Sequence, residues 1–484
     1  MQIVFAASEC TPWAKTGGLA EVIGSLPREI TALGHKVTLY IPYYRQVREQ
    51  MPEKKYAIHS ITIPFQYYSR FAAILDGGVH DGVQVYFVSS PELFDREALY
   101  GTAAGPYQDN WERFALYCRA VLEASKQLGV PDVFHAHDWH AGLLPVYLRT
   151  LYYFDPLLRN RAAVETVHNA GHQGRFPKDT VEKLLFPWDV FTPEKVEFYG
   201  EFNFLKGGVV YSDMVTTVSP RYAEEIQTQE YGAGLDGVFR LRAPELKGLL
   251  NGVDYRQWNP AKDGNIAAHF TPENLEGKAV CRKDLLHAFG AGTVNEGTAV
   301  LGMVTRMTTQ KGIDLLGQTM DALMREDVVL TILGSGEEYY ENLARGLAEQ
   351  YPGRVLVRIV YDEMLAHKVK AGADMLLMPS RYEPCGLTQF HAMKYGTVPV
   401  VHGTGGLEDT VEEWDGEAQT GTGFKFHTCD PDNFAGAVRR ALEVFRKKTA
   451  WTMLMRRAMM KDFSWGKSAA EYVEVYERAV RGRL

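Results

Sequence analysis

The sequence has no uninterrupted apolar stretch long enough to span a membrane. Its first apolar run is too short for a secretory signal peptide and follows no basic segment. It has only five cysteines and no C-x-x-C pair, which disfavours a disulfide framework and a structural zinc site. The net charge is −8, so the basic face that nucleic-acid binding requires is not expected. These absences predict a protein of a reducing cytoplasm that binds neither membranes nor nucleic acids.

The 484 residues are too many for a single core and indicate two domains. Short apolar runs alternate with amphipathic helical patterns, as in parallel sheets that are buried on both faces. The predicted strands of the first series are IVFAAS, KVTLYIP, VQVYFVSS, DVFHAH, AAVETVH and MVTTVS, and those of the second are AVLGMVT, VVLTILG, RVLVRIV, MLLMPS and PVVHG. This alternation predicts an α/β fold of two doubly wound domains, with the seam between Leu241 and Val300.

The loop after the first predicted strand, TPWAKTGGL, is the first candidate binding site. In doubly wound sheets, ligands bind beyond the carboxyl ends of the strands. Gly17 and Gly18 let the backbone approach a ligand closely, and Lys15 adds a positive charge. The loop therefore suits a phosphate or pyrophosphate at the start of a helix. The alternative interpretation is a surface turn with a solvated lysine.

Three loops of the second series have similar properties. Arg306 and Lys311 fall together in VTRMTTQKGID, where both side chains could bind phosphate oxygens. Glu383 lies in MPSRYEPCGLTQ, where a carboxylate could stabilise positive charge in a transition state or simply favour a helix start. The pair Gly405–Gly406 opens a further helix in VVHGTGGLEDTV, as a second candidate turn for binding an anion.

The segment HAHDWH, from His135 to His140, allows two interpretations. On a strand, His135 and His137 point to the same side, as metal ligands could. The spacing approaches the H-x-H-x-D-H pattern of binuclear metallohydrolases, but Trp139 stands where the second carboxylate is needed. The other interpretation, which we favour, is a set of polar strand-end residues near a substrate.

The segments KTGGLAEV, HAHDWHA, TVHN, NGVD, TRMTTQKG, PSRYEPCGLTQ, GTGGLEDTV and FSW occur in this order over nearly the whole chain. Together they closely resemble bacterial glycogen synthases and plant starch synthases, the retaining glucosyltransferases of family GT5 with the GT-B fold. The resemblance implies transfer of glucose from ADP-glucose to the non-reducing 4-hydroxyl end of an α-1,4-glucan such as glycogen. It also implies two Rossmann-like domains that face each other across a deep cleft. Because the candidate anion-binding turns lie in different domains, we further expect the domains to close on the donor.

The same resemblance implies domain boundaries and site residues. Residues 1–246, completed by a C-terminal helix at 463–484, would form the acceptor side, and residues 247–462 would form the donor side. The catalytic set would be Glu383, Lys15, Arg306, Lys311 and His168. Glu383 would lie near the donor glucose, the three cations would stabilise the leaving diphosphate, and the backbone carbonyl of His168 would lie by the anomeric carbon. The implied substrate-binding positions are Gly17, Gly18, Glu21, Asp138, Asn251, Tyr361, Cys385, Gly386, Gly405 and Gly406. No metal or other cofactor is expected.

Three positions depart from the family pattern. Glu21 replaces the aspartate of KTGGLADV, His172 stands where tyrosine is common, and His391 stands where many related GT-B transferases have a second glutamate. The Glu21 departure leaves UDP-glucose as an alternative donor. A non-catalytic protein that binds glucan or nucleotide is a second alternative. A glucan phosphorylase is a third, but no segment matches the lysine that binds pyridoxal phosphate in that class.

Overall fold

The computed structural model describes residues 1–102 and 105–483. Ala103, Ala104 and Leu484, the last residue of the predicted C-terminal helix segment, lie outside the described residues. The chain divides into two compact units: Met1–Gly252 with the segment that begins at Trp465, and Val253–Ser464. In the described part of the chain, none of the helices is both long and apolar enough to cross a membrane.

The first unit is built on a nine-stranded sheet of described residues in the order β14-β13-β9-β8-β1-β2-β5-β4-β3. The strands from β14 to β5 are parallel, and β4 and β3 extend the sheet as an antiparallel hairpin. Three short strands, β10, β12 and β11, form a separate antiparallel sheet. The strands are β1 Gln2–Ala6, β2 Lys36–Pro42, β3 Tyr56–Pro64, β4 Ser69–His80, β5 Val83–Ser89, β6 Gly101–Thr102, β7 Gly105–Pro106, β8 Val133–His137, β9 Ala162–Val167, β10 Arg175–Pro177, β11 Glu197–Phe198, β12 Glu201–Asn203, β13 Met214–Thr217 and β14 Leu246–Gly248.

Helices cover both faces of this sheet, as expected for parallel strands that are buried on both sides. They are α1 Gly18–Ile23, α2 Leu26–Ala32, α3 Arg45–Gln50, α4 Pro91–Phe94, α5 Asn110–Leu128, α6 Asp138–Ala141, α7 Leu143–Arg149, α8 Thr180–Lys183, α9 Phe204–Tyr211, α10 Pro220–Glu225 and α11 Asp236–Leu241, with a 3-10 turn at Trp188–Val190. The C-terminal helix, Trp465–Arg481, packs against α2, β9 and β13 of the same unit. The Tyr476 hydroxyl of this helix lies 2.8 Å from Nδ1 of His135, so the end of the chain contacts the buried centre of the sheet.

The second unit has a six-stranded parallel sheet, counted over its described residues, in the order β17-β16-β15-β18-β19-β20. Its strands are β15 Ala299–Val304, β16 Val328–Gly334, β17 Val355–Ile359, β18 Met375–Met378, β19 Val398–His402 and β20 Phe424–Phe426. Its helices are α12 Glu276–Phe289, α13 Ile313–Leu323, α14 Glu338–Gln350, α15 Glu363–Gly372, α16 Thr388–Lys394, α17 Gly405–Thr410, α18 Pro431–Phe445 and α19 Lys448–Met460, with a 3-10 turn at Thr309–Lys311.

All eleven strands predicted from continuous apolar runs are strands in the structure, within a few residues at their ends. The hairpin β3–β4 was missed. In β3 the buried residues Ile58, Ile61 and Ile63 are separated by exposed ones, because this edge of the sheet is covered on one face only. A search for continuous apolar runs finds strands buried on both faces and passes over a half-buried edge.

Candidate active site

The loop between β1 and α1 is built around Glu9, a buried residue. One carboxylate oxygen of Glu9 accepts the backbone N–H groups of Thr16 at 2.6 Å and Gly17 at 3.2 Å. The other oxygen accepts the hydroxyls of Thr16 at 2.6 Å and Tyr100 at 2.7 Å. The Gly17 amide is therefore occupied by the protein's own carboxylate. Gly17 itself stays a predicted substrate-binding position, but its N–H already has a partner within the protein.

Lys15 lies in the same loop and forms an ion pair with Glu21 of α1, with 3.0 Å between Nζ and Oε1. Both side chains are about one-fifth to one-quarter exposed. Glu21 thus orients the ammonium group of Lys15. A Cβ at Gly17 would meet no atom within 4 Å, so the space in front of the turn is open.

His168 follows β9, and its backbone is held by Asp138 at the start of α6. The His168 N–H donates to Oδ1 of Asp138 at 2.7 Å, and the Asn169 N–H also donates to this carboxyl group. In a trans peptide the C=O points opposite to the N–H of the next residue. Asp138 therefore directs the His168 carbonyl away from itself, which makes Asp138 a positioning residue.

Burial shifts the pKa values of both side chains in this contact. Burial lowers the pKa of His168 to about 3, so its imidazole is neutral, and it shares a 3.0 Å hydrogen bond with His137. Burial raises the pKa of Asp138 to about 7, although the two N–H donors oppose this shift. Asp138 itself has a left-handed backbone with φ of 55°, which is uncommon outside glycine, asparagine and aspartate.

The raised pKa of Asp138 predicts a pH dependence. Since the ionised carboxylate accepts the two N–H groups more strongly, we expect kcat to fall several-fold as the pH drops from about 8 to about 6. Asp138→Asn cannot ionise and should flatten this limb of the kcat profile. The effect of pH on the stability of the folded protein has the opposite sign. A raised folded-state pKa favours the folded protein at low pH, and that contribution is lost as the pH rises from about 4 to about 7. If kcat of Asp138→Asn still falls between pH 8 and pH 6 as in the parent protein, ionisation of Asp138 does not cause the fall.

His135 does not fit the metal interpretation of HAHDWH. Its Nδ1 lies 2.8 Å from the Tyr476 hydroxyl and its Nε2 lies 2.6 Å from the Thr166 hydroxyl, so both nitrogens are engaged. In the parts of the chain that the structure describes, no group of three His, Cys, Asp or Glu side chains could hold a metal ion. The segment is instead a buried polar cluster at the carboxyl end of β8.

A cavity of about 600 Å³ lies in the first unit next to this segment, and we call it the Trp139 cavity. The Trp139 ring packs directly against Gly174, which has φ of 62°. A side chain at this position would clash with the ring. The cavity is lined by Pro106, Tyr107, Gln108, Asn110, Trp139, Gly171, His172, Gln173, Gly174, Arg175, Phe176, Pro177 and Ala233. His172, the second departure from the family pattern, is thus a wall of this cavity.

In the second unit, Glu383 is 5% exposed and lies after β18. Its Oε2 accepts from Lys311 Nζ at 2.6 Å and from the Ser380 hydroxyl at 3.0 Å. Lys311 comes from the loop after the neighbouring strand β15. The structure therefore joins two of the predicted catalytic residues in one largely buried ion pair, at the carboxyl end of the sheet.

Close packing of the two loops brings this pair together. Gly312, with φ of 70°, lies against the carbonyl of Pro379 so closely that a Cβ would clash with it. The Gln310 side-chain amide donates to the Tyr382 carbonyl at 3.1 Å, and the Gln310 backbone carbonyl accepts from Arg381 N–H at 2.8 Å. Gly312 is thus required for two reasons: the Pro379 carbonyl approaches it closely, and its backbone is left-handed.

The pair Gly405–Gly406 packs against the backbone of the loop that carries Glu383. Gly405 has φ of 46°, and side chains at Gly405 and Gly406 would clash with the carbonyls of Glu383 and Cys385. The Gly406 N–H donates to the carbonyls of Glu383 at 3.1 Å and Pro384 at 3.2 Å. The Gly406 N–H therefore already has partners within the protein, while the turn stays a predicted substrate-binding position. The pair lets the helix start pack on the Glu383 loop.

The rest of that loop is fixed by Gln389. Its side-chain amide donates to the carbonyls of Cys385 at 2.9 Å and Gly386 at 3.2 Å. Gly386 has φ of 70°, and Cys385 is buried. The segment EPCGLTQ is therefore a self-bonded turn, in which the last residue holds the backbone that carries Glu383.

The remaining predicted residues are more dispersed. Arg306 is exposed and forms no ion pair within residues 1–102 and 105–483. Tyr361 is 67% exposed beyond β17. Asn251 is buried, its side-chain oxygen has no hydrogen-bond partner among the described residues, and it belongs to the first unit. A buried unpaired acceptor is costly, so this oxygen is a candidate contact for a ligand.

His391 does not take the place of a second carboxylate. It is buried, and its ring stacks on Trp258 at 3.9 Å between centroids. Its Nδ1 lies 3.1 Å from Lys370 Nζ. The residue is part of an aromatic stack in the core of the second unit.

Sequence reasoning missed Glu9, Gln389 and the lining of the Trp139 cavity. Glu9 lies six residues before Lys15 with no distinctive spacing, and its role depends on the chain folding back over it. Gln389 could have been found as the only amide in EPCGLTQ. The cavity combines residues from four segments that are distant in the sequence.

Two parts of the chain match known protein families. Residues 2–241 match the family described as starch synthase catalytic domain, and residues 288–452 match glycosyl transferases group 1. The chain is 55% identical to the glycogen synthase of Koribacter versatilis, over 100% of this chain and 99% of that protein. It is 43% identical to the glycogen synthase of Thermotoga maritima, over 99% of each. The chain belongs to the glycogen synthase family.

Membership of this family agrees with the three-dimensional comparisons. The structure is similar to the catalytic domain of starch synthase IV from Arabidopsis thaliana bound to ADP and acarbose, with a TM-score of 0.89, 31% identity and 99% of each chain covered. Sucrose-phosphate synthase from Thermosynechococcus elongatus has a TM-score of 0.62 at 16% identity over 99% of each chain, which concerns the fold alone. The predicted family, GT-B fold and glycosyltransferase class are confirmed, while the individual site residues stay predictions.

Proposed function

We propose that this protein elongates an α-1,4-glucan by transferring glucose from ADP-glucose to a non-reducing 4-hydroxyl, with retention of the anomeric configuration. The observation that carries the proposal is the buried Lys311–Glu383 pair, with 2.6 Å between Nζ and Oε2, in a chain of the glycogen synthase family. The named relatives are glycogen synthases, and the starch synthase that the structure resembles binds ADP.

The pair can serve both charges that develop in the transfer. As the glucose–diphosphate bond lengthens, positive charge builds at the anomeric carbon and negative charge on the diphosphate. A fixed carboxylate beside the sugar stabilises the first, and ammonium and guanidinium groups stabilise the second. Lys311 has three N–H donors, so it can keep Glu383 oriented while it binds a phosphate oxygen. Arg306 has no ion-pair partner among the described residues, so its guanidinium group is available for a second phosphate contact.

The first unit is proposed to take the acceptor. The Trp139 cavity presents the rings of Tyr107, Trp139 and Phe176 with a few amide and imidazole groups. Aromatic faces with convergent polar groups suit a sugar, which has apolar C–H faces and hydroxyl edges. The His168 carbonyl, directed by Asp138, is proposed to lie by the anomeric carbon, and Lys15 remains a predicted donor-binding residue.

The donor preference tests this proposal. We expect ADP-glucose to give the highest kcat/KM with glycogen as acceptor, when ADP-, UDP- and GDP-glucose are compared by nucleoside diphosphate release. A higher kcat/KM with UDP-glucose would contradict the donor assignment, and Glu21→Asp would then test whether the Lys15 partner causes it. Binding of glycogen and ADP without any release of ADP from ADP-glucose would favour the non-catalytic alternative.

A further inference from the structure

The hairpin β11–β12 carries an aromatic ring at its tip. Its two-residue turn, Tyr199–Gly200, has φ values of 49° and 84°. Both values are positive, as in the type I′ turns that favour asparagine and glycine. For a tyrosine this left-handed conformation has an energetic cost. Tyr199 is also 84% exposed, so burial of its ring does not offset that cost.

Several contacts hold the hairpin beneath Tyr199. Phe198 is 7% exposed, and its ring meets that of Tyr199 edge to face, with 4.8 Å between centroids. The Gly200 N–H donates to the Glu197 side chain at 2.6 Å. Nε of Arg175 lies 3.2 Å from the Glu201 carboxylate, which ties the hairpin to β10. The Tyr199 ring is thus presented to solvent by an ordered support.

This tip lies at the rim of the Trp139 cavity. A Cβ placed on Gly234 would lie 2.9 Å from the Phe198 ring and 3.8 Å from the Tyr199 ring, and the preceding residue, Ala233, lines the cavity. Arg175 also lines the cavity, and its guanidinium carbon lies 5.9 Å from the Phe198 ring centroid. Two lining residues, Ala233 and Arg175, therefore connect the exposed ring to the wall of the cavity.

The cavity is too small to hold a long acceptor chain. A volume of about 600 Å³ is that of a site for one small organic ligand, so a polymeric acceptor has to continue outside it. We propose that Tyr199 is an outer acceptor subsite, on which a sugar ring of a longer α-1,4-glucan stacks after leaving the Trp139 cavity. The inference rests on the proposed function. The strain at Tyr199 is consistent with it, because costly backbone conformations persist chiefly where they serve function.

The test compares a short and a long acceptor. Tyr199→Asn removes the ring and suits the turn, so the variant should fold with a Tm equal to or above that of the parent protein. We expect its KM for maltoheptaose to rise about fivefold, because an aromatic contact of this kind is lost, with kcat and the KM for maltotriose unchanged. Tyr199→Trp keeps a stacking surface and should retain the parental KM for maltoheptaose. Phe154→Ala is the matched control, since Phe154 is 86% exposed and does not line the cavity.

Two results would overturn the proposal: an unchanged KM for maltoheptaose in Tyr199→Asn, or an equal rise for maltoheptaose and maltotriose. Calorimetric titration of maltoheptaose without donor separates this outcome from a failure of the proposed function. If the parent protein transfers no glucose, weaker maltoheptaose binding by Tyr199→Asn would still support the subsite. Equal binding by the two proteins, or no binding by the parent, would refute it.

Discussion

Glu383→Gln is expected to lower kcat by about 100-fold or more, with a much smaller change in the KM for ADP-glucose. Glutamine keeps the shape and can still accept from Ser380 and Lys311, which donate to Glu383 at 3.0 and 2.6 Å, but it carries no charge. The loss should therefore appear where positive charge develops on the sugar, in the transition state. Steady-state kinetics with saturating glycogen measures it.

The control for this variant is Glu341→Gln, which removes a carboxylate that pairs with Arg345 at 3.2 Å on α14. The glutamine oxygen can still accept the Gly336 N–H, which donates to Glu341 at 3.0 Å. Its kcat should match that of the parent protein. A folded Glu383→Gln enzyme with near-normal kcat would reduce Glu383 to a structural partner of Lys311. A large rise in donor KM at unchanged kcat would instead make it a ground-state binding residue.

Lys311→Met is expected to lower kcat/KM for ADP-glucose by about 100-fold or more and also to destabilise the protein. The substitution removes a proposed phosphate contact and leaves the Glu383 carboxylate, 5% exposed, without its cation. Removing one partner of a buried ion pair costs about 3 kcal/mol. The thermal transition of the second unit should therefore move to lower temperature.

The double variant Lys311→Met/Glu383→Gln separates the two effects of that substitution. With neither charge present, the stability lost in Lys311→Met should largely return, while activity stays low. Lys368→Met is the matched control, because Lys368 forms a 3.0 Å ion pair with Asp284 in the same unit, and these side chains are more exposed, at 22% and 25%. It should leave kcat unchanged and alter stability by less than about 1 kcal/mol. A double variant that is less stable than Lys311→Met would contradict the assigned coupling.

The strands and the loops of the site were predictable because each depends on a local pattern. Continuous apolar runs identify the strands of both parallel sheets, and the loops after them hold Lys15, Arg306, Lys311 and Glu383. The contacts between loops were not predictable in this way. Lys311 meets Glu383 only because Gly312 packs on Pro379, which is 67 positions away in the chain.

The two glycine turns show where local interpretation fails. Exposed glycine amides after a strand suggest anion binding, but Glu9 accepts the Gly17 N–H and the Glu383 backbone accepts the Gly406 N–H. In both turns a partner from another segment satisfies the donor, as buried backbone groups require. Gly405 and Gly406 are needed because the backbone of the Glu383 loop approaches them closely, whereas Gly17 leaves open space for a ligand.

The anomeric configuration of the product tests the central claim most directly. The parent protein would be incubated with ADP-glucose and maltotriose, and the products followed by proton NMR together with ADP release. The account predicts one ADP for each new α-1,4 linkage, with maltotetraose as the first product. Free glucose as the main product, a β linkage, or no ADP release would contradict it.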